Sequence, residues 1–461
     1  MTIWKPKLNT DEGPLYKALA DAIERDIFSG ILKPSERLPT HRELADELGM
    51  NVSTVTKGYR EAEKRGLVSG TVGRGTYISS DAVTSPAMLS PEPHVSGMLD
   101  LGLITPMYHL EPDISEALRK IVRRKDPLSF MRYSDPHGLE EHRKAGVLWA
   151  QMYGLKADPE NIIVCAGAQH ALTCCLTGLF RAGDRIATDC LTYPGLKSLA
   201  SMLGILLEPV AMDDEGMTPE ALDAACRRAN ISGLYIMPGM NNPTTVAMGP
   251  DRRAAIAALV KKHKLTVIED DAYDLSSSLI LPPIATLIPN QSIYIAGVSK
   301  ALAAGLRIGF MVAPPHLRNE LIIAVLSTTW MAPPLNAEII CNWITDGTAK
   351  KTIEKKRKDA AERNVIAKEV LKDFDFNAQD TGFYIWLELP EPWTGKTFET
   401  RCRELGMNVF GAEKFVVGDT VAPRAVRLSL TGPKSPEKLR QGLGLVRDIL
   451  QGKIVESFVS L

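Results

Sequence analysis

The chain has 461 residues, which at roughly 150 residues per domain corresponds to about three domains, or two with one large. Hydrophobic residues make up 45% and charged residues 24%, a globular composition with a sizeable core that excludes disorder, collagen and coiled coil as the main state. Lys plus Arg number 54 against 55 Asp plus Glu, a formal net charge of -1. The whole is therefore not a basic nucleic-acid-coating protein, although a neutral total leaves room for a small DNA-binding part.

Residues 1–7 are charged and broken by Pro6, with no apolar run behind them, so no secretory signal is expected. Apolar stretches such as Leu203 to Leu207 are too short to span a bilayer. The seven cysteines form no Cys-x-x-Cys pair, so neither a disulfide framework nor a metal site is expected. Adjacent Cys174 and Cys175 read as small core residues, and the cytoplasm is the expected compartment.

From Pro14 to Ser29, apolar residues at Leu15, Leu19, Ala22, Ile23 and Ile27 have helical spacing, and Gly30 stops the run. A turn follows at Leu32-Lys33-Pro34-Ser35. A second helix is predicted from His41 to Leu48, with Thr40 and Glu43 forming a capping box and Gly49 ending it. Asn51-Val52-Ser53 opens a third helix through Lys64, ended by Gly66. Val68 to Ile78 places Gly70, Gly73 and Gly75 between apolar ends, which predicts a hairpin.

Helix, helix, turn, helix, hairpin is the outline of a winged helix-turn-helix, which sets one helix in the DNA major groove. Charge agrees locally. Residues 1–48 hold seven basic and nine acidic residues, whereas residues 49–78 hold five basic (Lys57, Arg60, Lys64, Arg65, Arg74) and two acidic. The plainer alternative is a helical subdomain with a solvated charged face. Residues 79–97 are rich in Ser and Pro without any period, and read as a semi-stiff linker.

Beyond the linker, short apolar strands alternate with helical stretches. Strands are predicted at Ile162 to Cys165, Arg185 to Thr188, Gly233 to Met237, Leu265 to Glu269, Ser292 to Ala296 and Ile308 to Val312. Helices fit between them, for example Arg252 to Lys262. This predicts an α/β fold with a mostly parallel sheet covered by helices. A helix from Lys350 to Leu371 and a mixed segment from Gly382 onward suggest a small C-terminal α+β subdomain.

Ligands in such folds bind at the carboxyl ends of the strands. No Gly-x-Gly-x-x-Gly and no Gly-x-x-x-x-Gly-Lys motif occurs in this region. Instead the strand ends carry Ala166-Gly167-Ala168-Gln169, Thr192-Tyr193-Pro194-Gly195, Asn241-Asn242-Pro243-Thr244, Glu269-Asp270-Asp271-Ala272-Tyr273, and Gly297-Val298-Ser299-Lys300 with Gly305-Leu306-Arg307. Pyridoxal phosphate requires a lysine for its aldehyde and a carboxylate for its pyridine nitrogen. It also takes donors for its phenolate oxygen, a stacking ring, and N–H groups with an arginine for its phosphate. These strand ends supply each once. Singly, each residue has a plain structural reading as cap, turn or surface charge; their joint order and spacing decides.

The region from about Leu101 onward resembles the fold type I aminotransferases of the aspartate aminotransferase superfamily. The resemblance implies a Schiff base on Lys300, Asp270 on the pyridine nitrogen, Tyr273 and Asn242 on the phenolate oxygen, and Tyr193 stacked on the ring. It places the phosphate against Ala168, Gln169, Ser299 and Arg307, and assigns the effector carboxylate to Arg427. Tyr133, in Tyr133-Ser134-Asp135-Pro136-His137-Gly138, would reach the phosphate of a neighbouring subunit. Two departures stand out: Gly297 where the family usually has Ser or Thr, and Thr245 where it usually has Gly.

Joined to the N-terminal part, the layout resembles the MocR subfamily of GntR-type transcription regulators. The motifs are Leu38-Pro39-Thr40-His41-Arg42-Glu43-Leu44-Ala45, Ser53-Thr54-Val55 with Tyr59, and Gly73-Arg74-Gly75-Thr76-Tyr77-Ile78. The resemblance implies DNA contacts from Arg42, Ser53, Thr54, Thr56, Lys57, Arg74 and Gly75. Val52 stands where an arginine is usual, and Gly70 or Thr71 where a basic residue is.

The implied organisation is a winged helix over residues 1–78, a linker over 79–97 and an aminotransferase-like domain over 98–461. Within the last, a large part covers about 140–330 and a small part 98–139 plus 331–461. The expected protein is a homodimeric transcription regulator that binds double-stranded DNA, pyridoxal 5'-phosphate and an amino-acid-like or vitamin B6-related effector, with no membrane partner. The alternatives are an active aminotransferase carrying a helix-turn-helix domain, and a silent scaffold that serves only dimerisation. The retained Lys300 speaks against the second.

Overall fold

The computed structural model describes residues 4–8, 14–28, 31–32, 36–64, 67–71, 75–78, 98–273 and 281–453. The predicted linker over 79–97, the wing residue Arg74, and Arg65 lie outside them.

The N-terminal elements are α1 (Leu15–Phe28), α2 (His41–Leu48), α3 (Val52–Lys64), β1 (Val68–Thr71) and β2 (Gly75–Ile78). The capping box is present: the Thr40 amide donates to Glu43 Oε2 at 2.8 Å and the Glu43 amide to Thr40 Oγ1 at 3.3 Å. Gly49 closes α2 in the left-handed region at φ 62°. β1 and β2 pair antiparallel from Val68–Ile78 to Thr71–Gly75, and Arg37 bridges to Tyr77. Leu19, Ile23, Val55, Tyr59, Leu67 and Ile78 share one buried cluster. A Cβ at Gly58 would lie 2.7 Å from Leu19 Cδ2, so this glycine lets α1 and α3 approach closely.

The remaining chain begins with β3 (Leu99–Asp100), α4 (Ile114–Val122) and α5 (Glu140–Gln151), followed by β4 (Ile162–Cys165), α6 (Ala168–Leu179), β5 (Arg185–Asp189), α7 (Pro194–Leu203) and β6 (Leu206–Val210). Then come β7 (Met212–Asp213), β8 (Gly216–Met217), α8 (Pro219–Arg228), β9 (Ile231–Ile236), α9 (Pro250–His263), β10 (Thr266–Asp271), β11 (Ser292–Gly297) and β12 (Gly309–Val312). Last are α10 (Arg318–Thr328), α11 (Pro334–Thr345), α12 (Thr348–Val370), β13 (Phe376–Asn377), β14 (Tyr384–Glu388), α13 (Gly395–Glu404), β15 (Met407–Asn408), β16 (Phe410–Gly411), β17 (Ala425–Ser429) and α14 (Pro436–Leu450).

All six predicted strands are present, within two residues at their ends, in a seven-stranded sheet of order β4-β12-β11-β10-β9-β5-β6. The seventh, β6, was not predicted; it is an edge strand containing Pro209. Only β12 runs antiparallel to its neighbours. Consequently β4, β5, β9, β10 and β11 all end on one edge of the sheet, and β12 starts there. The strand interiors are buried and rich in Val, Ile and Leu, as a sheet covered on both faces requires.

A second sheet, β13-β14-β17-β16, packs with α14 and the C-terminal half of α12 around Leu101, Phe398 and Leu443. β3 pairs with β15 across most of the chain. Residues of α4 and α11, and Ile353 of α12, bury their apolar side chains with Trp149, Ile162 and Phe310 beside the large sheet. Cys174 and Cys175 are fully buried core residues, as expected. Thr245 takes φ 65°, a left-handed conformation that costs a side-chain-bearing residue about 1–2 kcal/mol. Its amide and its carbonyl are both engaged, by the Asn241 carbonyl and the Gln379 side chain.

Candidate functional site

The shared strand edge surrounds a cavity of about 240 Å³ lined by Ala168, Gln169, Tyr193, Asn242, Asp270, Tyr273, Ser299, Lys300, Arg307 and Arg427. Five strand ends, the start of β12 and β17 thus bring together every predicted cofactor and effector residue except Tyr133. Tyr133 is 82% exposed and packs its ring 5.6 Å from that of Trp330. Leu128, Met131 and Trp330 are exposed as well.

At the first strand end, Gly167 sits at φ 91°, where a Cβ would come 2.6 Å from an Arg307 guanidinium nitrogen. A Cβ at Gly309 would be 3.1 Å from the Ala168 amide. The two glycines therefore let Arg307 lie over the start of α6, whose first-turn N–H groups have no side-chain cap. Bare helix-terminal N–H groups beside a guanidinium make an anion cradle. Arg307 donates to Ser299 Oγ at 3.2 Å, which ties the lysine loop to the cradle. The Tyr193 hydroxyl donates to Gln169 Oε1 at 2.9 Å, and its ring lies against Gly195, where a Cβ would clash at 2.3 Å.

Asp270 is buried on β10, and its Oδ2 accepts from the Tyr235 hydroxyl at 2.8 Å. Burial, reinforced by the Asp270 charge, pushes the Tyr235 phenol well above its ordinary range, so it remains a donor. Sequence reasoning missed Tyr235: inside an apolar strand it reads as core. Tyr273 packs edge-on against Tyr384 with ring centroids 5.3 Å apart, and burial raises its phenol to about 12.

Lys300 donates from Nζ to the Ile104 carbonyl. Burial depresses its amine to about 8, and the charges of Arg427, Arg307 and Lys356 add to the effect. Arg427 is 4% exposed and donates to Asn242 Oδ1 at 2.7 Å and to the Gly102 carbonyl at 2.8 Å. Its guanidinium carbon lies 5.0 Å from the Phe415 ring centroid and 5.3 Å from that of Phe410. Its Nε has no hydrogen-bond partner, and no carboxylate forms an ion pair with it among the described residues. A buried cation whose hydrogen bonds go to neutral oxygens is set to receive a carboxylate.

On the N-terminal part, Arg42, Ser53 and Lys57 are exposed, and Thr54, Thr56 and Gly75 are half-buried. Thr56 Oγ1 is occupied by the Val52 carbonyl at 2.9 Å and by His41 Nδ1 at 3.2 Å. Asn51 Oδ1 accepts the Ser53 amide at 2.9 Å and so caps α3. The sequence reading missed Arg37, an exposed residue whose guanidinium lies where a Cβ on Gly75 would touch it at 2.9 Å.

Residues 101–444 match the family described as aminotransferase class I and II, and residues 15–78 match bacterial regulatory proteins of the gntR family. The uncharacterized HTH-type transcriptional regulator YdeF of Bacillus subtilis (strain 168) is 36% identical over 447 residues, spanning 97% of this chain and 96% of the relative. The chain belongs to the GntR-type transcription regulators that carry an aminotransferase domain. The HTH-type pyridoxine biosynthesis transcriptional regulator PdxR of Corynebacterium glutamicum is also similar to this regulator, at 26% identity over 77% of this chain and 78% of the relative. Among solved structures, an archaeal alanine:glyoxylate aminotransferase covers 86% of the regulator and 100% of its own chain, with a TM-score of 0.74 at 22% identity. That likeness shows the aminotransferase fold, to which the regulator adds an N-terminal helix-turn-helix, as expected. Among the described residues no helix is long and apolar enough to cross a membrane.

Proposed function

We propose that this regulator holds pyridoxal 5'-phosphate at Lys300 and senses a small carboxylate-bearing amine, or a vitamin B6 compound, through Arg427. The observation that carries the reading is the pairing in one cavity of a lysine with a depressed amine and a buried arginine whose hydrogen bonds, among the described residues, go to neutral oxygens. The glycine-lined cradle at α6 fits the phosphate, Asp270 the pyridine nitrogen, Tyr273 and Asn242 the phenolate oxygen, and Tyr193 the ring face. Bound pyridoxal phosphate supplies an aldehyde conjugated to an electron-withdrawing ring.

The protein's own residues supply the rest. Lys300 offers an amine that burial, with the neighbouring cations, makes easier to deprotonate. Tyr235 orients Asp270, and Asn242 holds Arg427 in place. PdxR, named for pyridoxine biosynthesis, supports a B6-related effector.

On the DNA side, the exposed Arg42, Ser53 and Lys57 at α2 and α3, with the wing at Arg74 and Gly75, would meet phosphates and groove edges. The exposed apolar group of Leu128, Met131, Tyr133 and Trp330 supports a homodimer with the pockets near the interface. Two winged helices then engage two half-sites. An effector acts by binding one arrangement of the pair better than the other. The cytoplasm is the compartment this role requires.

The test is a mobility-shift titration of the full-length protein on DNA upstream of its own gene and of the divergent neighbour. Addition of pyridoxal phosphate, or of an amino acid to the loaded protein, is expected to move the half-saturation point at least about fivefold. Sequence-specific binding indifferent to every such compound would sink the sensing role, and rapid multiple-turnover transamination would favour the enzyme instead.

The departure at Gly297 yields a second expected result. A Cβ there would meet Ala272 and Asp271 at 3.5 Å and Ala168 Cβ at 3.7 Å, all ordinary contacts. Gly297→Ser is therefore accommodated, with its hydroxyl beside the α6 cradle. It should tighten pyridoxal phosphate by about fivefold, one net hydrogen bond, in a fluorescence titration. A weakened affinity would remove residue 297 from the phosphate site.

A further inference from the structure

α12 is 23 residues long, and its sequence from Lys350 to Asn364 is polar on nearly every side, which reads as a solvated helix. Yet Lys356 is only 2% exposed. Its Nζ donates to the Leu302 carbonyl at 2.8 Å and to the Lys300 carbonyl at 3.3 Å. A small void lined by Tyr273, Lys300 and Lys356 lies between the helix and the lysine loop. Burial lowers the Lys356 amine to about 8, opposed by the charge of Glu111, whose Oε1 is buried without a hydrogen-bond partner.

We propose that Lys356 is a positioning residue for Lys300, clamping the main chain of Lys300 and Leu302 from behind and setting a positive charge beneath the reacting amine. The clamp fixes where the Lys300 stem leaves the backbone. The charge disfavours a second ammonium close by, so a larger share of the Lys300 amine is neutral and nucleophilic. The other charged or titratable groups around the Lys300 amine are Arg427 from β17, Arg307 ahead of β12, Asp270 and Tyr273 at the end of β10, and Tyr193 at α7. Those around Lys356 are Glu111, Arg357, Tyr273 and Lys300 itself. Arg427 and Arg307 serve anion sites in the proposed function, whereas Lys356 bonds the main chain of Lys300 itself.

The inference rests on the reading of Lys300 as the cofactor lysine, and its test is made on cofactor-free, full-length protein. Acetic anhydride is applied in brief pulses across a pH series, and acetylation of Lys300 is followed by mass spectrometry. The wild-type midpoint is expected near 8. In Lys356→Met it should rise by less than a unit, because burial and the two arginines remain, slowing Lys300 acetylation about two- to threefold at neutral pH. In Lys356→Arg, charged at every pH tested, it should stay level or fall.

A rise in Lys356→Met without one in Lys356→Arg distinguishes a charge effect from a packing effect, which would move both variants the same way. A Lys356→Met midpoint that coincides with the wild type, or variant midpoints that move together, overturn the proposal. Where Lys356→Met does not fold, Lys356→Gln takes its place. If the midpoints move as stated but the protein never becomes coloured with pyridoxal phosphate, the cofactor reading fails and this one stands.

Discussion

Lys300→Ala is expected to abolish the yellow colour that the wild-type protein acquires with pyridoxal phosphate, and to leave folding intact. Of the three cations that line the cavity among the described residues, Arg307 and Arg427 are guanidiniums, and Lys300 is the amine able to react with an aldehyde. With the amine brought to about 8, roughly a tenth is neutral at pH 7, against well under a thousandth for an ordinary lysine. The lysine is thus reactive at neutral pH, and loading should speed up as pH rises through that value.

The variant keeps the phosphate cradle, so weak reversible binding persists. Affinity falls by about 100-fold, about 3 kcal/mol. The truncation removes one hydrogen bond, to Ile104, along with a charge whose burial is unfavourable. Far-ultraviolet circular dichroism and the melting temperature should therefore stay near wild type. A variant that colours as the wild type does would end the assignment.

The second large effect concerns DNA. Replacing Arg42 and Lys57 together by alanine removes two exposed cations, one on α2 and one on α3, that form no ion pair among the described residues and do not contribute to the small core. If both meet phosphates, the plot of log affinity against log salt should become shallower by about two per winged helix. Affinity at moderate salt should fall about 10- to 100-fold, with specific and non-specific DNA weakened alike. Cofactor colour should not change. An unaltered salt slope would remove these two residues from the interface. The contrast with Thr56→Ala is informative, because Thr56 Oγ1 is already bonded to Val52 and His41. That change should act mainly through α3 packing and leave the salt slope alone.

Much of this architecture is legible in local pattern. The capping box at Thr40 and Glu43, the glycine at position 49 and the hairpin ending at Ile78 follow from short-range chemistry, and each occurs as predicted. The strand ends were legible because five of them carry unusual polar residues after apolar runs, and parallel strands bring such ends to one edge. Non-local features leave no such local signal. β6 was missed because Glu208 and Pro209 interrupt its apolar run, as an edge strand tolerates. The reversed direction of β12 depends on which strands flank it.

Tyr235 becomes a partner of Asp270 only through the alignment of β9 with β10. Lys356 sits among lysines and glutamates that do face water, and only tertiary packing singles it out. Residues of α4 and α11 were grouped by sequence position with the small part, whereas their apolar faces join the large sheet.

The long-range pairing of β3 with β15 sets an order of events during synthesis. The core of the winged helix draws only on residues up to Ile78, and so can form once that segment has left the ribosome. The cavity around Lys300 cannot, because Asp100 bonds to Asn408, Gly102 to Arg427 and Thr105 to Thr431. At about 5–20 residues per second, the stretch from residue 78 to residue 408 takes roughly 15 to 70 seconds to translate. Each newborn chain therefore passes through an interval in which its DNA-reading end is complete while the part that would govern it has yet to be made.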